Sequence, residues 1–191
     1  MKTKSISNIQ VAVCVAVIVS LLVMPLAAKD VFRGRMLTER APIEPPAVEI
    51  QIEIDSWTTP EEIVQFNQIL ASSGPDSFLS AFNATNKGVV RFLYARGFNL
   101  TVHMAQFSED EKGKKVILVF RREPWSQGSQ LSGGRNYFMA IELKLNKKGE
   151  GEGRFYEDAQ IEMDSMAGRV YLKGYESSPK IIPSIKEKKP K

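Results

Sequence analysis

Lys115-Val116-Ile117-Leu118-Val119-Phe120-Arg121 sets five consecutive apolar residues between two cations. A run of that length, rich in β-branched residues, reads as a central strand covered on both faces. Further along, Tyr137, Met139, Ile141, Leu143 and Leu145 alternate with Phe138, Ala140, Glu142 and Lys144, the period of a strand with one buried face. The polar stretch Ser108-Glu109-Asp110-Glu111-Lys112-Gly113 leads into the first of these strands, and Lys147-Lys148-Gly149 turns the chain back after the second. Short turns between successive strands predict antiparallel pairing, because parallel neighbours need crossovers of a dozen residues or more.

Working outward, residues 89–93 and 99–107 read as two further strands, the latter with Leu100, Val102 and Met104 on one face. Earlier still, Val48, Ile50, Ile52 and Ile54 alternate with Glu49, Gln51 and Glu53. Thr59-Pro60-Glu61-Glu62 then has the grammar of a helix start, with Thr59 as cap and Glu62 completing a capping box. Ile63, Phe66, Ile69 and Leu70 share one helical face, and Gly74-Pro75 is read as closing that helix and opening a shorter one with Phe78, Leu79 and Phe82. Downstream, shorter strands are expected around Arg154-Phe155-Tyr156, residues 160–164, 169–175 and 180–185. The prediction is an α+β fold: a single domain, a mostly antiparallel meander sheet, and a two-helix hairpin after the first strand. That domain covers residues 47–185. Residues 29–46, with Pro42, Pro45 and Pro46, read as a Pro-rich arm, and residues 186–191 as a basic tail.

Residues 1–28 contain no acidic side chain, carry Lys2 and Lys4, and continue from Val11 as an apolar run to Ala28. A basic end, an apolar stretch and small residues before a polar chain are the parts of a secretory signal peptide, with cleavage expected after Ala28. The alternative is that residues 11–28 stay attached as a membrane anchor, since their length lies at the lower edge of a bilayer span. Cys14 falls inside the apolar run without the small residue before it that a lipoprotein signal requires. The reading is therefore of an exported protein, periplasmic or extracellular, or held at the inner membrane.

The 191 residues carry 26 basic and 22 acidic side chains, one His and one Cys. Without Lys2 and Lys4, 24 basic residues stand against 22, and the tail Lys186-Glu187-Lys188-Lys189-Pro190-Lys191 alone nets three positive charges, which leaves the part between at about −1. The basicity belongs to the two ends. It gives no support to a nucleic-acid partner, which calls for aromatics interleaved on a basic face; Trp125 near Arg121-Arg122 is a faint echo of that pattern. The tail is suited instead to a weak contact with an anionic envelope surface.

Several segments taken in order are similar to a group of exported bacterial proteins of acidobacterial type for which no activity is established. They are Val48-Glu49-Ile50-Gln51-Ile52 leading to Ser56-Trp57-Thr58-Thr59, Gly74-Pro75-Asp76, and Tyr94-Ala95-Arg96 with Gly97-Phe98-Asn99-Leu100. The later ones are Lys114-Lys115-Val116-Ile117-Leu118 with Arg122-Glu123-Pro124, Tyr137-Phe138 through Ile141-Glu142-Leu143, and Gly149-Glu150-Gly151-Glu152-Gly153. The resemblance implies export and a single domain. It carries over no catalytic residue.

His103 is the sole imidazole in the sequence, so any Ser-His-acid mechanism must run through it, yet it lies mid-strand and no G-x-S-x-G elbow occurs. It is expected to be structural or solvent-facing. Gly149-Glu150-Gly151-Glu152-Gly153 lies between strands and its carboxylates would repel a phosphate, so a flexible hairpin is expected there. Glu142, with Glu157-Asp158 further along, is the remaining candidate for a metal-independent carboxylate hydrolase, against a plain ion pair of Glu142 with Lys144. Glu109-Asp110-Glu111 lacks the alternating ligands of a calcium loop and reads as a hairpin tip. Trp57 and Trp125 sit in turn segments and either could line a groove. The sequence points to no catalytic residue, metal or cofactor, and to a non-catalytic binding or structural module.

Overall fold

The computed structural model describes residues 29–37, 47–93, 99–122, 138–175 and 177–188. Among them are ten strands, β1 (Asp30–Leu37), β2 (Ala47–Ile54), β3 (Gly88–Phe92), β4 (Asn99–Val102), β5 (Met104–Asp110), β6 (Gly113–Arg121), β7 (Phe138–Asn146), β8 (Glu150–Asp164), β9 (Arg169–Tyr175) and β10 (Lys180–Lys188), and one helix, α1 (Pro60–Ala84), between β2 and β3. All pairings are antiparallel, in the order β4-β3-β2-β1-β10-β8-β7-β6-β5, with β9 added to β8. The two ends of that order, β4 and β5, are the two halves of one strand bent at His103. The sheet therefore closes on itself as an up-and-down barrel in which β1 is zipped to β10.

Alternation along each strand fills the interior. Phe32, Ile50, Ile52, Val90, Val102, Leu118, Phe120, Ile141, Leu143 and Ile182 all lie in one buried cluster drawn from every wall. A row of partners across the inside, Phe92, Ile50, Gly34, Ile185, Gly151, Leu145, alternates bulky side chains with glycines. Such interleaving of large and small residues is how a narrow barrel packs solid. The run that opened the sequence reading is indeed covered on both sides: Val116, Leu118 and Phe120 face the interior, while Ile117 and Val119 lie under α1.

The helix corrects the expected two-helix hairpin. Thr59 and Glu62 form the capping box, with Glu62 N–H donating to Thr59 Oγ1 and Thr59 N–H to Glu62 Oε2. At Gly74 the backbone leaves the helical region (φ 82°, ψ 179°), a conformation that glycine adopts without steric cost, and Pro75 restarts the helix. The chain kinks without reversing, because both halves serve one apolar strip: Phe66 lies 5.9 Å from Phe78 and 6.4 Å from Phe82, ring to ring. With Ile63 they pack on Met104, Ile117, Val119 and Val170. Burying a ring such as Phe82 contributes about 2–3 kcal/mol.

Four further expectations change. Asp30–Leu37, inside the segment read as a Pro-rich arm, is a central strand paired along its length with β2. Its alternation is real, Phe32 and Met36 in, Arg33 and Arg35 out, but the inward position between them is Gly34 and supplies no apolar signal. The strand expected over residues 99–107 breaks at His103, so Leu100 and Val102 face the interior while Met104 faces α1. Residues 150–164 form one long strand in place of two short ones, and the Gly/Glu repeat is its first part, not a flexible hairpin. Gly151 and Gly153 face inward against Leu145 and Leu143, and Glu150, Glu152 and Arg154 face out. Finally, β10 runs past residue 185, taking Lys186 and Lys188 of the tail into the sheet. Pro183 sits where the β8–β10 ladder shifts register, the place where a missing N–H costs least.

The hairpin of β8 and β9 leaves the ring and folds over α1. Its exposed backbone is held by one side chain: Gln106 Nε2 donates to Gly168 O at 2.8 Å and Gln106 Oε1 accepts from Val170 N at 2.9 Å. A side-chain amide thus stands in for a neighbouring strand and blunts that edge.

Candidate functional site

His103 is buried at the bend between β4 and β5, and its contacts explain the break in the strand. Its N–H donates to Val119 O at 3.0 Å, and its carbonyl accepts from Thr85 Oγ1 at 2.8 Å. Nδ1 stands 2.8 Å from Thr85 O, so the proton on that nitrogen is donated to the carbonyl. The ring centroid lies 4.8 Å from that of Phe82. The imidazole fastens the C-terminal end of α1 to the closure of the barrel, which is the structural role expected of it.

The carboxylates do not converge. Glu142 projects from the outer face of β7 and pairs with Lys115 of β6 at 2.6 Å, not with Lys144. The register explains the choice: Ile117 stands opposite Glu142 and Lys144 opposite Lys115, which sets Lys115 diagonally beside Glu142 within reach of a long side chain. Glu157 pairs with Lys180 at 2.7 Å, and Asp158 with Arg122 at 3.4 Å with both side chains nearly buried. Burial, reinforced by the charge of Glu142, pushes the Tyr156 hydroxyl above its ordinary pKa. Among the described residues no group of three or more His, Cys, Asp or Glu is placed to hold a metal ion. Asp110 Oδ1 accepts from the backbone N–H of Lys112 and Gly113, making the acidic segment a hairpin turn, as expected.

Trp57 closes one end of the barrel. Its Nε1 donates to Asp30 Oδ2 at 2.7 Å, and its ring meets Phe107 edge-on at 4.8 Å. The Lys114 ammonium sits 5.3 Å from the Trp57 ring and 4.9 Å from that of Phe107, and is bound to Glu187 at 2.8 Å. This aromatic cage is filled by the chain's own cation. Trp125 lies outside the described residues.

Two concave features stand out among the described residues. The first is a trough of about 480 Å³ on the outer wall of β10, β1 and β2, opposite α1, with Arg33, Arg35, Lys186, Lys188, Glu49 and Leu93 among its lining residues. Arg33 is the ladder partner of Lys186, and Val31 that of Lys188, so the four cations form one patch. Arg35 reaches Glu49 at 3.6 Å, and Lys186 reaches Glu150 at 2.7 Å, a contact whose hydrogen bond and charge lower the Glu150 pKa. Sequence reading missed Arg33 and Arg35 because their strand was taken for an arm; the alternation Phe32-Arg33-Gly34-Arg35-Met36 was the available signal. The second is a cavity of about 220 Å³ lined by Asn83, Leu100, Thr101, His103, Phe120 and Arg121.

No described helix is long and apolar enough to cross a membrane. Ala28 and the rest of residues 1–28 lie outside the described residues, as do residues 38–46 and 189–191. In comparisons with known proteins, no family model, no curated protein and no solved structure matches the chain.

Proposed function

We propose that this chain is an exported, non-catalytic binding module that docks through the basic wall of β10, β1 and β2 onto a phosphate-bearing surface of the cell envelope. The observation that carries the reading is the trough itself, lined by four cations, of which Arg35 is paired with Glu49 and Lys186 with Glu150. Lys189 and Lys191 follow directly on Lys188 and extend the same charge. The wall over β5 and β6 is occupied by α1, whereas no described element packs over this one. Each cation near an anionic surface is worth about 1 kcal/mol, so the four together bind weakly but measurably. The leader-like residues 1–28 and the resemblance to exported acidobacterial-type proteins support export. The alternative of a carboxylate hydrolase built on Glu142 gains nothing from the pairing of that residue with Lys115.

The test is co-sedimentation of the purified protein with phosphatidylglycerol vesicles. Binding is expected at low salt, is expected to disappear with phosphatidylcholine, and should fall about a hundredfold in R33Q/R35Q/K186Q. Competition by inorganic phosphate would identify the phosphate group alone, and not the membrane, as the ligand. Equal binding to both kinds of vesicle overturns the reading.

A second reading has one observation in its favour. β1 starts at Asp30, leaving only Lys29 between it and residue 28, and Lys29 is itself bound to Glu53 at 2.6 Å. An uncleaved leader would hold the barrel against the membrane with no spacer. N-terminal sequencing of the exported protein decides between them: a chain starting at Lys29 is expected, and an intact leader identifies a membrane-anchored envelope component.

A further inference from the structure

The exposed apolar side chains of the basic wall gather at one of its ends. β1 ends there at Leu37. β3, which runs in the same direction two strands over, ends at Phe92 with Leu93 next. β10 runs antiparallel to β1 and so begins at that same end, with Ile181 its second residue. Leu93 is 54% exposed, and Leu37 and Ile181 are 41% exposed each. All three project outward, since their neighbours Phe92, Met36 and Ile182 fill the interior. Leu93 is fixed to the wall, its N–H donating to Glu49 O at 2.9 Å, and it lines the trough beside the cations.

The cations follow along the same strands. Arg35 and Arg33 lie two and four residues before Leu37, and Lys188 stands opposite Val31, further still from the apolar end. Arg35 and Lys186 each have a carboxylate partner, whereas Arg33 and Lys188 make no ion pair among the described residues. Both are exposed, so their charge is free to meet an anion from outside. Single exposed apolar residues are ordinary, but three at one end of a cationic wall make a combined surface that suits lipid. An anionic bilayer offers phosphates over hydrocarbon. A tilt of the wall puts the apolar end below the headgroups, while the cations, about 7–20 Å back along the strands, stay among them.

We propose that the wall docks at a tilt on an anionic bilayer, with Leu37, Leu93 and Ile181 sunk among the acyl chains and Arg33 and Lys188 on lipid phosphates. The inference rests on the phosphate-docking reading and adds to it the lipid as ligand, the orientation and the three inserted residues. The opposite end of the barrel, where Trp57 is bonded to Asp30, is held away from the membrane. An attached leader would draw that opposite end to the bilayer, so the orientation belongs to a chain that starts at Lys29.

The experiment is co-sedimentation of the exported protein with phosphatidylglycerol vesicles, parent against L37S/L93S. Both leucines are exposed, so the variant should keep the melting temperature of the parent. Its binding is expected to weaken about tenfold. A second variant, L93W, carries an indole to the apolar end. In phosphatidylglycerol vesicles with brominated acyl chains its fluorescence should be quenched beyond that of the parent. Y171W, on the β8–β9 hairpin, should add no quenching. Phosphatidylglycerol-selective binding by L37S/L93S as tight as that of the parent overturns the inference and leaves the charge reading standing, and so does an L93W indole quenched no more than the parent. Equal binding to phosphatidylcholine is the failure of the charge reading itself and overturns both.

Discussion

Valine at position 151 is expected to prevent the barrel from forming a stable native state. Gly151 faces the interior between two strands, opposite Leu145 on β7 and Ile185 on β10. A Cβ there would overlap the backbone carbonyl oxygen of Lys144 and come within 2.8 Å of its carbon and 2.9 Å of the Leu145 Cα. These are main-chain atoms of a strand hydrogen-bonded on both sides, so no rotamer change relieves the overlap. β8 cannot retreat either, because β10 holds its other edge. Backbone displacement of this kind costs more than about 3 kcal/mol, a large share of the roughly 5–15 kcal/mol that stabilises a domain. Gly153→Ala is the internal control. Its Cβ would meet the Leu143 Cδ2 at 2.6 Å and the Glu142 carbonyl oxygen at 2.8 Å, and the former is the end of a side chain that can turn away. Urea unfolding should rank Gly151→Val far below Gly153→Ala in midpoint. Similar midpoints for the two would mean that the inward glycines are not needed for closure.

Glu62→Ala is expected to destabilise the protein by about 2–3 kcal/mol through two losses at once. One carboxylate oxygen completes the cap of α1 by accepting from Thr59 N–H at 2.8 Å; the other holds Lys87 Nζ at 2.6 Å. Lys87 is 9% exposed, and its backbone is already committed, N–H to Val102 O and carbonyl to Asp55 and Ser56 N–H. Among the described residues its ammonium has no second ion-pair partner, so deleting Glu62 leaves it buried and unpaired. Because Glu62 remains about a third exposed, water recovers part of the loss, which is why the figure sits below that for a fully buried pair. Glu62→Ala combined with Lys87→Met should regain stability relative to Glu62→Ala alone, and a double-mutant cycle by chemical denaturation measures the coupling. A Glu62→Ala variant within about 0.5 kcal/mol of the parent would remove this pair from the account.

What could be read in advance follows the physics of local signals. Strands with one apolar face, such as Ile50-Gln51-Ile52-Glu53-Ile54, declare themselves by alternation, and the start of α1 by its cap. β1 escaped because Gly34 interrupts its inward Phe32 and Met36, and the first part of β8 because its inward positions are Gly151 and Gly153, fitted to the bulk of Ile185 and Leu143 on neighbouring strands. The bend at His103 escaped for a related reason: it is imposed by closure of the ring and by Thr85, eighteen positions away. The basic wall was hidden with β1, since four cations drawn from residues 33–35 and 186–188 become one patch only when the ends of the chain meet.

The meeting of β1 with β10 has a consequence for the order of events in folding. Val31 finds its partner in Lys188, so the ring cannot be completed until β10 has been made. Joining strands so far apart in the chain carries a large loop-closure cost and makes for slow folding. While β10 is still in the ribosome, β1 and β8 each lack the neighbour that it will supply. The ring thus stays open during synthesis and locks once β1 and β10 lie side by side.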